Sequence, residues 1–305
     1  MYSAIARNKR TTVILIVAYI FIVTGVGVAL SWVFGNVWPA IILGGVSIVH
    51  VVLTWFYGGR WVEAALHSHR VSAKDEPRFY RTVENLAIRN GMPIPALGVE
   101  EVDAINAYAM GLRRDRAVVG VTRGALDNLD NVELEALLSH EMAHIRNGDS
   151  RVKVLVMGLV GAMQLIAIIL IGAGAQTANQ ANARRDNRDN GGAAVVGGFF
   201  LVLGLIFLII GYVVGPIVQS AVSRQREYLA DASGVEMTRF APGMISLFRK
   251  FEASESGAIS SAANGAMGMF YAYRRRRRGL GYLFTATHPP TWKRIERIQA
   301  IAKAP

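Results

Sequence analysis

The sequence contains no cysteine among its 305 residues. Disulfides, zinc–thiolate sites and thiol nucleophiles are therefore excluded, and any metal site must be built from histidine and carboxylate side chains. Histidine is also scarce, with six in the chain, so few ligand combinations are available. Charged residues make up 18% of the chain and hydrophobic residues 52%, a balance that indicates a membrane protein rather than a soluble one.

Acidic residues are fewer than basic ones, 22 against 33, which gives a net charge of +11. A basic balance is also found in nucleic-acid-binding proteins, but here lysine and arginine are absent from the long apolar runs and concentrate beside them. That distribution is typical of cytoplasmic loops and of contact with anionic lipid. We therefore expect the lipid bilayer and its anionic headgroups as partners, and no nucleic acid.

Four uncharged stretches are long enough to cross a bilayer, which takes about 20 apolar residues per helix. They cover residues 12–34, 37–57, 154–173 and 193–222. Basic residues precede the first stretch, as in a signal peptide. The stretch is longer than a signal core and lacks a clear small-x-small cleavage site, so it is predicted to be a retained anchor.

These stretches divide the chain into a transmembrane hairpin at 1–57, a polar segment at 58–150, a second transmembrane hairpin at 151–222 and a second polar segment at 223–305. The linker at 174–192 is rich in Gly, Asn, Ala and Gln, which predicts a flexible exterior loop. It holds only three of the 33 lysines and arginines. Both polar segments are therefore expected on the cytoplasmic side of the cell membrane.

The segment 58–150 predicts a helix followed by short strands. Asp75-Glu-Pro77 is typical of a helix start with an N-cap and an early proline, and Asn90-Gly91 of a helix end. Pieces rich in β-forming residues follow at 96–101, 106–110 and 117–122, with a turn at 113–116. A small β-sheet is therefore expected beside the helices.

A second helix in this segment carries the chemistry. Asp130-Asn-Val-Glu133 has the pattern of a capping box, and the leucines after it recur on one face, which predicts an amphipathic helix ending near Gly148. Two histidines, His140 and His144, lie four residues apart on this helix, one turn from each other, with Glu141 beside them. This HExxH pattern predicts a metal site, in preference to a helix with two solvated histidines.

A catalytic zinc takes three protein ligands and keeps one position open. The extended pattern HExxHxxGxxH fails here, because Asn147 and Ser150 stand at its glycine and last histidine positions. Glu227 and Asp231 lie four residues apart, just after the fourth apolar stretch. One of these carboxylates can bind the metal while the other accepts a hydrogen bond from a ligand imidazole.

Several motifs together resemble the HtpX-type membrane zinc metalloproteases, which are related to the CAAX prenyl proteases. They are Asn-Ala-Tyr-Ala at 106–109, Thr-Arg-Gly at 122–124, the stretch 135–144 with the HExxH pattern, Ser-Arg-Gln-Arg-Glu-Tyr-Leu-Ala-Asp at 223–231 and Thr-His-Pro at 287–289. The resemblance implies a mainly α membrane protein, with four transmembrane helices and a cytoplasmic gluzincin-type α+β protease domain that includes a small β-sheet. It also implies a zinc endopeptidase acting on membrane-protein or unfolded polypeptide substrates, in quality control and stress response.

The resemblance assigns roles to individual residues. The chain departs from the usual pattern at Tyr108, where Phe is commoner, and over residues 256–278, where an Ala/Gly/Ser-rich stretch ends in five arginines. The implied roles are ligands of one Zn²⁺ for His140, His144 and Glu227, general base for Glu141, support of the site for Asp231, oxyanion stabilisation for His288, and substrate-backbone binding for Asn106, Ala107, Tyr108 and Ala109.

Three other functions were weighed against this one. An intramembrane protease of the site-2 kind needs its HExxH within a spanning helix, whereas charged residues such as Glu135 and Arg146 flank it here and indicate an aqueous site. Prenyl-protein proteases generally have more spanning helices. A non-catalytic membrane scaffold would have no use for Glu141 beside two metal ligands. Zinc is the preferred metal, with cobalt or manganese able to replace it in vitro.

Overall fold

The computed structural model describes residues 2–65, 67–111, 113–183, 190–253 and 289–303. The chain divides into two compact units, one formed by Met1–Leu155 with Ser220–Pro305 and the other by Val156–Gln219. The helices are α1 (Tyr2–Phe34), α2 (Trp38–Ala65), α3 (Pro77–Arg89), α4 (Arg123–Asn128), α5 (Asn131–Asn147), α6 (Asp149–Ala183), α7 (Asn190–Ile209), α8 (Gly215–Thr238), α9 (Ala241–Ala253) and α10 (Thr291–Lys303). The strands are β1 (His69–Val71), β2 (Ala96–Glu100), β3 (Ala107–Met110) and β4 (Val118–Thr122).

Four helical stretches are long and apolar enough to cross a membrane, as predicted. They are Thr12–Phe34, Trp38–Trp61, Asp149–Gln180 and Val195–Tyr212. The first two pack against each other across a short turn, in which the Asn36 side chain accepts a hydrogen bond from the Trp38 amide at 2.9 Å. The Ser31 hydroxyl accepts another from the Ala40 amide at 3.0 Å. These bonds satisfy amides at the start of α2 and fix a tight hairpin.

A four-stranded sheet lies in the same unit, with the order β1-β2-β4-β3. β2 and β4 are parallel, and the two outer strands run antiparallel to their neighbours. The predicted pieces at 96–101, 106–110 and 117–122 therefore form three of the four strands. Helices α3, α4, α5 and α9 contribute to one apolar core with the sheet. This mainly helical architecture with a small sheet confirms the predicted fold class, and β3 forms an edge of the sheet.

The second unit contains most of α6 and α7. Residues 174–183 and 190–192, where a flexible loop was expected, are helical in the structure. An added Cβ at Gly174 would lie 2.9 Å from the Gly197 carbonyl oxygen, so the two helix backbones approach closely there. Small residues permit such packing between helices, and helix α6 continues beyond the apolar stretch that the sequence pattern marks.

Two local expectations in the first unit were wrong. The N-cap of α3 is Glu76, with no side-chain cap, while the Asp75 carboxylate accepts hydrogen bonds from the Ser72 amide at 2.8 Å and hydroxyl at 2.7 Å. Asp75 therefore closes the preceding turn instead. Helix α5 is buried on nearly all sides, because α3, α9 and the sheet all contact it, so it has no broad solvent-facing side of the kind an amphipathic helix has.

Candidate metal centre

Helix α5 holds the HExxH residues, and local sequence fixes both of its ends. The Asp130 side chain accepts from the Glu133 amide at 2.8 Å and the Glu133 carboxylate accepts from the Asp130 amide at 3.1 Å, which completes the predicted capping box. Gly148 ends the helix with φ of 74°, a left-handed conformation that glycine adopts without steric cost. The HExxH therefore lies on a helix with well-defined ends, immediately before α6.

Helix α8 brings the two carboxylates against α5. A Cβ at Gly234 would lie 3.2 Å from the His140 amide nitrogen, so the absence of a side chain permits this close contact. Glu227 then lies between the histidines, with its carboxylate oxygens 3.5 Å from His140 Nε2 and 3.3 Å from His144 Nε2. One ligand atom from each of these three residues falls within 4.8 Å of the others, and all three residues are buried. The structure thus brings together the three residues expected as ligands.

Asp231 on α8 and Asp149 on α6 hold the other nitrogen of each imidazole. Asp231 Oδ1 lies 2.9 Å from His140 Nδ1 and Asp149 Oδ2 lies 3.1 Å from His144 Nδ1. A histidine that donates through Nδ1 to a carboxylate has Nε2 free to bind a metal. Asp231 thus occupies the supporting position expected for it, and Asp149 braces His144.

Arg294 on α10 was missed by the sequence analysis. It donates to Asp231 through Nε at 2.8 Å and through Nη2 at 2.6 Å, and its guanidinium lies 4.2 Å from the centre of the Phe248 ring. It also lies 3.8 Å from Glu227 and is 2% exposed. No local motif marks it as different from the other arginines of the chain.

Two more buried cations approach the carboxylates. Lys153 Nζ lies 3.7 Å from Glu227 Oε1, and Arg226 Nε lies 3.6 Å from Asp149 Oδ1. Both side chains are almost fully buried. These cations offset part of the negative charge that four carboxylates place around the two histidines, and buried charges require such partners.

The electrostatics of the site favour a bound cation. Burial lowers the pKa of His140, but hydrogen bonds to Asp231 and Glu227 outweigh it and raise that pKa to about 9. Burial raises the pKa of Asp231, but the charge and hydrogen bonds of Arg294 lower that pKa by more. The net pKa therefore lies below its ordinary value, and the Asp231 carboxylate stays ionised. Without a metal, the two carboxylates therefore favour the protonated, cationic form of His140. A metal ion bound by Nε2 would take the place of that proton.

Glu141 provides the test of whether a metal fits. Both of its carboxylate oxygens are buried and make no hydrogen bond with any residue that the structure describes. An ionised carboxylate left this way is costly unless a cation or a bound water satisfies it. Together with two imidazole nitrogens and the Glu227 carboxylate, this donor set suits a metal with an open position for water.

The expected substrate strand is the edge strand β3, which packs against α5. Asn106 precedes it, and its carbonyl oxygen accepts from the Thr122 amide at 3.0 Å while its side chain accepts from the Ala107 amide at 3.0 Å. In an antiparallel pair, residues whose N–H and C=O groups bond the neighbouring strand alternate with residues whose groups point away from it. Asn106 bonds Thr122 of β4, so the carbonyl of Ala107 and the N–H and C=O of Ala109 point away from β4. The Tyr108 ring instead lies over Gly120 of β4. His288 lies outside the described residues.

Residues 73–302 match the sequence profile of peptidase family M48. The chain belongs to this family. Full-length relatives of this M48 chain include proteins named protease HtpX homolog. The one from Streptococcus uberis is 35% identical over 311 residues, and the one from Lactobacillus helveticus is 33% identical over 302 residues, each covering 98% of this chain and 99% of the relative. The one from Tropheryma whipplei (strain Twist) is 34% identical over 299 residues, covering 98% of both chains.

A solved structure has the same fold. The crystal structure of S. mikatae Ste24p aligns with this M48 chain with a TM-score of 0.50 and 14% sequence identity, over 96% of this chain and 66% of that one. The M48 chain thus spans less than two thirds of Ste24p, and the likeness concerns the fold alone.

Family membership and the apolar helices establish the general class of the protein. This M48 chain is a membrane-bound metallopeptidase, with peptides as substrates and a lipid bilayer as its surroundings. Helix α5, which carries the HExxH, lies outside the four candidate spans. The site-2 alternative, which needs the HExxH within a spanning helix, therefore finds no support.

Proposed function

We propose that His140, His144 and Glu227 bind one zinc ion and that Glu141 is the general base of an endopeptidase. The observation that carries this proposal is the convergence of three buried ligand atoms within 4.8 Å, beside the buried Glu141 carboxylate, which makes no hydrogen bond with any described residue. Two histidines and one glutamate with an open position suit zinc, and the chain has no thiolate to compete.

The chain's own residues would then share the work of peptide hydrolysis. When bound, zinc would supply Lewis-acid activation of a water molecule and of the scissile carbonyl. Glu141 takes the proton of the attacking water and delivers it to the leaving amine. Asp231 and Asp149 hold the two imidazoles in the tautomer that leaves Nε2 for the metal. His288 is proposed to stabilise the negative charge that develops on the carbonyl oxygen.

Asn106, Ala107, Tyr108 and Ala109 are proposed to bind the substrate backbone. Ala107 and Ala109 are buried in this structure. We propose that the groups covering β3 move aside and that an extended peptide then adds to the edge of the sheet through the outward carbonyl of Ala107 and both main-chain groups of Ala109. Main-chain pairing supplies affinity without selecting side chains, and the resulting specificity is broad. The Tyr108 ring points at Gly120, so this residue contributes to the strand by packing.

The substrates we infer are cytoplasm-exposed regions of misfolded or damaged membrane proteins. The placement of the site in the chain supports this, because a single residue separates the end of α5 from one candidate span and α8 follows closely after another. All but three lysines and arginines lie outside the linker 174–192, which supports a cytoplasmic site at the cell membrane. A site at this location could act on membrane proteins in quality control. We also propose that the protease domain is divided between residues 58–150 and 223–305, on either side of the second transmembrane hairpin.

The test compares wild type with Glu141→Gln, both purified in detergent and loaded with zinc, in a time course with an unstructured protein as substrate. We expect the variant to bind one zinc per chain and to cleave about 10²- to 10⁴-fold more slowly, the usual contribution of a general base. Glu135→Gln, on the same helix but partly exposed, is the matched control and should cleave like wild type. Stoichiometric zinc in all three proteins without cleavage by wild type would contradict the proposal of a general endopeptidase.

A further inference from the structure

We propose that a cavity at the end of α2 binds the phosphate headgroup of an anionic phospholipid. The cavity has a volume of about 820 Å³. Its walls come from the last turns of the span Trp38–Trp61, from β1, and from the chain before β2 and before β4. All of these belong to the first unit of the chain. The site is separate from the metal centre, since none of the proposed metal ligands lines it.

The charge of the cavity wall is strongly positive. Among the residues that the structure describes, the cavity is lined by one carboxylate, that of Asp115, and by four arginines, Arg60, Arg70, Arg113 and Arg116. Arg113 engages that carboxylate through two hydrogen bonds of 2.9 and 2.8 Å, so its charge is already matched. Arg60 and Arg116 add two further positive charges around an open space, which attract an anion.

Two of these arginines are available to a ligand. Arg60 and Arg116 are exposed, and neither makes an ion pair or a side-chain hydrogen bond within the described part of the chain. They come from different elements, the end of α2 and the turn before β4. Guanidinium groups offer paired donors that match the oxygens of phosphate. The two guanidinium groups of Arg60 and Arg116, which line one cavity, therefore suit a phosphate group.

The rest of the wall is apolar and aromatic, which identifies a lipid rather than a free anion. Trp55, Phe56, Tyr57 and Ile94 line the cavity, and Phe56 is 63% exposed. Tryptophan and tyrosine at the end of a span are typical of the headgroup level of a bilayer. A molecule that joins a phosphate to an apolar chain can contact both the arginines and the aromatic rings, whereas inorganic phosphate can use only the first.

The experiment titrates the delipidated full-length protein in detergent with phosphatidylglycerol, phosphatidylcholine or inorganic phosphate, and counts bound lipid by native mass spectrometry. We expect phosphatidylglycerol to bind at least tenfold more tightly than phosphatidylcholine. The double variant Arg60→Gln/Arg116→Gln should weaken phosphatidylglycerol binding by about 10- to 30-fold, from the usual contribution of two arginines near anionic lipid. Because both residues are exposed, the unfolding temperature without lipid should stay that of wild type.

The matched control is Arg249→Gln/Lys303→Gln, which removes the same charge at two exposed positions away from the cavity. It should bind phosphatidylglycerol like wild type. Equal loss in the control would mean that net charge, not the cavity, attracts the lipid, and would overturn the proposal. So would unchanged binding by the double variant, or displacement of phosphatidylglycerol by an equal concentration of inorganic phosphate. The last result would make the cavity a simple anion site.

Discussion

Replacing Arg294 by methionine should destabilise the protein strongly, although no motif contains this residue. The substitution removes two hydrogen bonds of 2.8 and 2.6 Å to Asp231 and leaves a carboxylate that is 2% exposed beside His140 alone. Breaking a buried pair by removing one partner costs about 3–5 kcal/mol. At roughly 2–4 °C per kcal/mol for a domain of this size, the midpoint of unfolding should fall by about 6–20 °C.

The metal centre should respond as well. Asp231 orients His140 through Nδ1, and an Asp231 carboxylate freed from Arg294 no longer holds a fixed position. Loss of such outer support typically lowers metal affinity by about 10- to 100-fold. Zinc affinity is measured by competition with a chromophoric chelator, and unfolding by tryptophan fluorescence in detergent, with and without zinc. Arg294→Lys keeps the positive charge but lacks the planar guanidinium group with its paired donors. It should therefore recover only part of the lost stability and zinc affinity.

The matched control is Arg297→Met on the same helix, where the guanidinium stacks 3.7 Å from the centre of the Tyr228 ring. A cation–π contact of this kind contributes about 1 kcal/mol, so the control should lose only a few degrees. If Arg294→Met unfolds within 2 °C of wild type and binds zinc with unchanged affinity, then the interaction with Asp231 does not stabilise the site and the reasoning fails.

Two further substitutions test packing and charge. In Gly120→Ala the new Cβ would lie 1.9 Å from Tyr108 Cζ, so the variant should lose about 3 kcal/mol of unfolding free energy. In a Tyr108→Ala background, the same change should cost under about 1 kcal/mol. An equal cost in both backgrounds would show that the Tyr108 ring is not the obstacle. Burial raises the pKa of Glu133, but hydrogen bonds from Lys250, the Asp130 amide and Ser246 lower that pKa by more. The net pKa therefore lies below its ordinary value of 4.5. A group with a depressed pKa stabilises the fold above its ordinary pKa and loses that effect as pH falls through the folded value. Glu133→Gln should therefore cost about 1–2 kcal/mol at pH 7 and progressively less below about pH 4.5 in denaturant titrations, whereas a difference from wild type independent of pH would contradict the role of the charge.

The parts of the structure that were predictable from sequence are those determined by local interactions. The capping box of Asp130 and Glu133 and the left-handed Gly148 fix α5 within one stretch of chain, so its ends were predicted closely. The same holds for β2, β3 and β4, whose turn signals lie beside them, whereas the short β1 was not predicted. The spacing of His140 and His144 likewise requires only one helix. By contrast, Asp75 was misassigned because its carboxylate bonds backward to Ser72 instead of forward into α3.

Long-range packing accounts for what the sequence did not reveal. Arg294 lies 63 residues from Asp231 along the chain, and nothing in its neighbourhood distinguishes a buried arginine from a solvated one. Residues 174–183 are polar enough to suggest a loop, yet they are helical, and Gly174 packs closely against Gly197 on α7. The burial of α5 on nearly all sides likewise depends on elements that come from distant parts of the sequence.

The order of the site residues along the chain has a consequence for biogenesis. His140 and His144 precede the hairpin of α6 and α7, whereas Glu227 and Asp231 follow it. During synthesis, a chain that has emerged only as far as α6 has both histidines but neither carboxylate. The proposed zinc site can therefore be completed only after α8 has been made and has packed on α5, so that a partly inserted chain is a protease precursor without activity.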